Sequence, residues 1–269
     1  MRTLLKTGFA LLMLAFLLIG VSYGMLRAQG VSGVSDPAGR VLDSETRSLA
    51  TAVRAIELTG PIDMTVRQGA VATLIVRGER RLLGKVDTSV GTDGTLHIGT
   101  AGMLLFHRQP LQVSLVLPAL ENVSVNGSGD STVTGFSGER IVVRLNGSGN
   151  VTFNGHVRQL EARLHGSGDL AINGGASDKV DVALLGSGQL SVAGSCQRFS
   201  AKQTGSGDLD ARHLDAEEAT LQTMGSGDAV LRASRMVRVT LRGSGDVTVY
   251  GEPRERSVSR MGSGEVVFR

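Results

Sequence analysis

The chain has 269 residues, with 37 Gly, only 5 Pro, 7 Phe, 2 Tyr and no Trp. Gly is abundant without a Gly-X-Y period, which excludes collagen, and the 41% apolar content allows a core of aliphatic side chains. The formal charge of +3 comes from the first 28 residues: Arg2, Lys6 and Arg27 lie there without an acid, and the other 25 basic residues balance the 25 acidic ones. No basic stripe remains on the rest of the chain to suggest nucleic acid as a partner.

In chain order, Arg2 and Lys6 precede an uncharged run from Thr7 to Leu26. Residues 1–28 therefore read as a signal peptide or an N-terminal membrane anchor. Ser22 with Gly24, or Ala28, supplies a cleavage position, and the run is long enough to span a bilayer if it is retained. Either outcome predicts an exported domain, in the periplasm or at the cell surface, whose only membrane contact is residues 7–26 if uncleaved. No cysteine stands where a lipoprotein would need one, since the single cysteine is Cys196. Residues 29–50 lack apolar periodicity and read as a linker.

From residue 51 to the C-terminus the pattern is β throughout. Residues 51–125 give strand candidates at 54–58, 62–67, 71–77, 94–98 and 111–117, separated by Gly60-Pro61, Gly69-Ala70 and Asp93-Gly94 turns. They are expected to form irregular rungs. The apolar stretch Met103-Leu104-Leu105-Phe106 is expected to cap an open end, or to serve as a contact surface.

Residues 126–269 are a repeat. Gly-Ser-Gly begins at Gly127, Gly147, Gly166, Gly186, Gly205, Gly225, Gly243 and Gly262, at spacings of 18 to 20 residues. After each triplet comes a polar residue: Asp130, Asn150, Asp169, Gln189, Asp208, Asp228, Asp246 and Glu265. Then an apolar pair flanks an outward residue, as in Val151/Phe153, Leu170/Ile172 and Val247/Val249. A turn follows, marked by Gly135, Gly155, Gly174, Gly194 and Gly251. A second strand leads to the next triplet, with inward pairs such as Val143/Leu145 and Val239/Leu241 and outward Arg144, Arg163, Lys202 and Arg238. One such unit cannot bury its apolar face alone, and stacking buries a continuous core. The expected fold is all-β, a single-stranded β-helix (solenoid) with rungs of about 19 residues spaced roughly 4.8 Å apart. Continuous strand parity would place both triplet glycines inward and the Ser and acid outward, with the Ser hydroxyls free to form a ladder.

The segments LTGPIDMTVRQG (58–69), LLGKVDTSVGTDGTLHI (82–98) and LQVSLVLPALENVSVNGSGD (111–130), followed by recurring GSGD, resemble the putative auto-transporter adhesin head GIN domain family. The resemblance covers about residues 50–269. It implies a right-handed parallel β-helix in a bacterial envelope protein, and it brings no catalytic residues and no cofactor.

The column from Asp130 to Glu265 is the one polar constellation. As a site it would hold a cation or a saccharide, because stacked carboxylates repel unless neutralised. As structure, each acid would accept hydrogen bonds from backbone amides of its own turn, and the Asn150 and Gln189 interruptions favour this. No cofactor or metal is expected, since His97, His107, His156, His165 and His213 lack ligand spacing and Cys196 has no neighbouring base. The functional expectation is a non-catalytic adhesion, binding or scaffold module whose partner is an envelope protein or glycan. The alternative is a glycan-active enzyme using carboxylates on the solenoid face.

Overall fold

The computed structural model describes Met13 and residues 15–22, 24–25, 41–49, 52–101 and 109–269. Of the leader, the described residues are helical and exposed, and no helix among the described residues is long and apolar enough to cross a membrane. Met103–Phe106, His107 and the Ala28 cleavage position lie outside the described residues.

The expected stacked parallel coil is present. Each long strand is nearly one complete rung: β9 (Ser131–Gly147), β10 (Asn150–Gly166), β11 (Asp169–Gly186), β12 (Gln189–Gly205), β13 (Asp208–Gly225) and β14 (Ala229–Gly243). Successive rungs pair in parallel with Val151 opposite Leu170, Leu170 opposite Leu190, and Leu190 opposite Leu209. The inward residues of neighbouring rungs thus stack into apolar columns that form one core. Each buried Val, Leu, Ile or Phe contributes about 1.5–3 kcal/mol, and only the stack removes both sides of a rung from water.

Two corners of the coil behave differently. At the triplets the register never slips, and Gly127, Gly147, Gly166, Gly186, Gly205, Gly225, Gly243 and Gly262 lie directly over one another. All variation in rung length is absorbed at the opposite turn, for example between Asn173 and Ala176, where Gly175 has φ +66°. The turn expected at Gly174 therefore falls one residue later.

The stack begins earlier than the repeat. β2 (Ala55–Thr59) pairs in parallel with β8 (Asn122–Gly127), and β3 (Ile62–Gln68) pairs in parallel with the start of β9. Thr59 opposes Asn126 and Met64 opposes Ser131, so Gly60-Pro61-Ile62-Asp63 occupies the triplet corner. This rung has no Gly-Ser-Gly, and it is one of the irregular rungs expected in residues 51–125.

Between β3 and β8 the expected irregular stacking is only partly present, because part of the segment stacks in parallel and part turns back antiparallel. β4 (Thr73–Glu79) runs antiparallel to β7 (Leu111–Leu117), and β5 (Val86–Val90) runs antiparallel to β6 (Thr95–Thr100). β6 and β7 then lie parallel against β2 and β3, so this excursion closes the first end of the solenoid. A short helical turn, Arg80–Leu83, packs Leu82 and Leu83 into the core. The expected linker also contains structure: β1 (Leu42–Arg47) adds antiparallel to β4, and Arg47 donates to the Val86 and Leu83 carbonyls. Strand β1 is mostly exposed, which explains why apolar periodicity did not mark it.

At the other end, β15 (Val247–Tyr250) and β16 (Glu255–Gly262) form the last complete rung, and β17 (Val266–Phe268) stacks on β15 as the start of another. Here the inward positions change character. Arg256 stands one rung on from Val237, and Arg260 one rung on from Leu241. Arg256 lies 4.6 Å from the Phe268 ring centroid, a cation–π contact, and Arg260 donates to the Gly264 carbonyl. Charged side chains at inward positions of a terminal strand discourage another strand from adding.

Candidate binding surface

At the Gly-Ser-Gly corner neighbouring rungs come into unusually close contact. The carbonyl of Gly127 accepts the N–H of Ser148 at 3.1 Å and of Gly149 at 3.3 Å. The pattern recurs as Gly166 serving Ser187 and Gly188, and Gly186 serving Ser206 and Gly207. Serine contributes its N–H to these bonds between rungs and keeps its side chain at the exposed surface. The expected parity also fails at one point: the second glycine is buried, but the first is only half-buried and takes a left-handed φ, +145° at Gly147.

The predicted polar column is brought together in full, along the exposed edge just after this corner. Its carboxylates act between rungs rather than within their own turn. Asp130 Oδ1 accepts the Asn150 N–H at 3.2 Å and its side-chain amide at 2.9 Å. Asp169 accepts the Gln189 N–H, Asp208 that of Asp228, Asp228 that of Asp246, and Asp246 that of Glu265, at 2.8–3.2 Å. Asp63 begins the series by accepting the Asp130 N–H at 3.0 Å. After the amides Asn150 and Gln189, the next N–H turns to a backbone carbonyl instead: Asp169 to Gly149 and Asp208 to Gly188. The column is thus a run of backbone clasps. Its carboxylates lie side by side on a convex edge, not opposite one another across a cleft. Among the described residues no group of three or more His, Cys, Asp or Glu is arranged to hold a metal ion.

Cys196 is buried in β12 between Ser177 and Ala216, not exposed at a turn. Burial, with a smaller contribution from the charge of Glu217, pushes its thiol up to about 12, so it stays protonated at neutral pH.

The exposed columns form two faces. The face after the triplets carries Thr132, Thr152, Ala171 and Ser191 in one column, and a shallow groove of about 230 Å³ runs over Asn154, Asn173, Asp210 and His213. The face leading into the triplets is more highly charged. Most of its charges are paired: Arg140 and Arg163 with Glu161, Lys179 with Asp181, and Arg235 with Glu218. A groove of about 290 Å³ on this face is lined by Lys202, Thr204, Gln222, Met224, Thr240 and Arg242. Behind it the core itself turns polar. Gln203 and Thr223 occupy inward positions that hold Leu184 and Leu241 in the adjoining rungs, and Gln203 Nε2 donates to the Gly207 and Asp228 carbonyls. Sequence reasoning placed Lys202 and Arg238 outward but followed the triplet column alone. Reading the outward positions down the repeat is the signal that finds this groove.

Solved structures with this fold include a putative adhesin from Parabacteroides distasonis, 23% identical, with a TM-score of 0.79 over 85% of this chain and 97% of that one. A putative adhesin from Parabacteroides merdae is 18% identical, with a TM-score of 0.78 over 85% and 96%. A structure described as a putative lipid binding protein from Parabacteroides distasonis is 23% identical, with a TM-score of 0.77 over 85% and 96%. No curated protein matches the sequence. The model of one family, described as "Putative auto-transporter adhesin, head GIN domain", matches residues 53–178 and 166–253, and the chain belongs to that family.

Proposed function

We propose that this protein is a non-catalytic binding module of the bacterial envelope, exported by its leader and presenting the solenoid faces to a surface partner. One observation carries the reading. The outward positions repeat in register on every rung, which builds long, flat, pre-ordered surfaces suited to an extended ligand. Family membership supports an adhesive role. The glycan-hydrolase alternative loses its motivating residues, because Asp208 and Asp228 are engaged as clasps on backbone N–H groups. Cell fractionation with N-terminal sequencing tests the export step, with the protein expected outside the cytoplasm.

The full chain, purified in detergent if the leader is retained, is expected to bind immobilised envelope material or arrayed glycans saturably and without turnover. Absence of binding to envelope protein, whole envelope and glycan alike would overturn the proposal. Product release that disappears in Asp208→Asn or Asp228→Asn would restore the enzyme.

A further inference from the structure

We infer that the groove over β12, β13 and β14 is a site for an acidic polysaccharide, a hydroxyl-rich chain carrying carboxylate groups. The inference rests on the binding-module reading and names its ligand class. Two cations line this groove and a third stands beside it. Lys202 and Arg242 line it, and Arg238 stands next along its rung, two positions before Thr240. None of the three has an ion-pair partner among the described residues, whereas Arg140, Arg163, Lys179 and Arg235 on the same face each have one.

The register sets their spacing. Lys202, Gln222 and Thr240 stack in one column, and Thr204, Met224 and Arg242 stack in the next. Lys202 and Arg242 are therefore two rungs apart along the axis, about 10 Å, with uncharged hydrogen-bonding side chains between them. Gln222, Thr204 and Thr240 offer donors and acceptors for sugar hydroxyls, while Met224, half-exposed at the centre, offers an apolar surface for the face of a ring. The two columns, from Ser124 to Ser259 and from Asn126 to Met261, carry no acidic side chain among the described residues. Asp228 and Asp246 lie beyond the Gly-Ser-Gly corner, so an anionic chain is attracted along the face and repelled at the edge. No aromatic residue lines the groove to stack bases, and beyond Met224 no apolar wall is there to take an acyl chain.

The test is binding of the full chain to immobilised polygalacturonate, with neutral dextran and anionic phospholipid vesicles as competitors. Saturable binding that weakens with added salt is expected. Lys202→Glu with Arg242→Glu should lower affinity at least tenfold, and the milder Lys202→Gln with Arg242→Gln should do so severalfold. Melting temperatures should stay unchanged, and Arg67→Glu on the other face should leave binding intact. Binding indifferent to both double variants, equal competition by dextran, or preference for vesicles overturns the inference. If polygalacturonate fails while envelope material still binds, only this inference falls; if both fail, the binding-module reading falls with it.

Discussion

The Gly166 carbonyl oxygen occupies the space that a Cβ on Gly186 would need, and the same oxygen takes the N–H of Ser187 at 2.9 Å and of Gly188 at 3.2 Å. Gly186 also has φ +133°, a region closed to side chains. Gly186→Ala should therefore cost about 3–5 kcal/mol, combining backbone strain with displacement of a rung. Gly138→Ala meets no heavy atom within 4 Å and should change stability by less than about 0.5 kcal/mol. Urea denaturation of the two variants checks the contrast, and equal losses would sink the steric account of the triplet.

Asp228 clasps the Asp246 N–H at 2.8 Å, and its own N–H is held by Asp208. Asp228→Ala should lose about 1 kcal/mol, the usual contribution of such a bond at an exposed edge. Asp228→Asn, which keeps an oxygen acceptor, should lose less. Because the carboxylates are engaged in this way, calcium titration of the full chain should give no saturable heat and no rise in melting temperature. A stoichiometric heat would reassign the column as a cation site.

Glu161 joins Arg140 and Arg163 in a partly buried cluster. Burial pushes its carboxyl up, but the hydrogen bond from Arg140 and the charges of Arg163, Arg140 and Arg144 together outweigh burial and hold it below the ordinary 4.5. A lowered folded value means the stabilisation is complete above the unfolded value and fades as pH falls through the folded one. Glu161→Gln should therefore destabilise the protein by about 1 kcal/mol at neutral pH. The difference from wild type should shrink on acidification below about pH 4.5. Melting temperatures of both proteins from pH 7 to pH 3 would reveal a constant gap if the cluster were irrelevant.

Arg256 and Arg260 close the last complete rung at positions held by Val237 and Leu241 in the rung before it. Replacing them together with Val and Leu should extend the apolar columns to the open edge, beside the exposed Val258 and Met261. The expected result is concentration-dependent end-to-end association by light scattering. A monomeric double variant would mean the edge is protected by something else.

What could be read in advance was what repeats. Val151, Leu170 and Leu190 announce a column because each recurs at a fixed distance from a triplet, and the strand parity follows. The rung at Gly60-Pro61-Ile62-Asp63 was legible only as an irregular one, because it keeps the corner but not the Ser or the second Gly. The first end escaped for another reason: alternation in β4 and β7 marks strands but does not say which strand lies beside which, or in which direction. The acid column was found by spacing, yet its role depended on backbone N–H groups about 20 residues away, which no local turn rule supplies. The cationic groove belongs to positions that vary in type from rung to rung, so no recurring residue announces it.

Since every difference in rung length falls at the corner away from the triplets, each rung is an interchangeable tile with one fixed edge. The molecule is consequently a ruler. Inserting or deleting one tile in the middle of the stack would move the two closed ends by a single strand spacing and leave every remaining interface as it was. Its length along the stacking axis can be set by copy number alone, while the residues displayed on each tile are free to change.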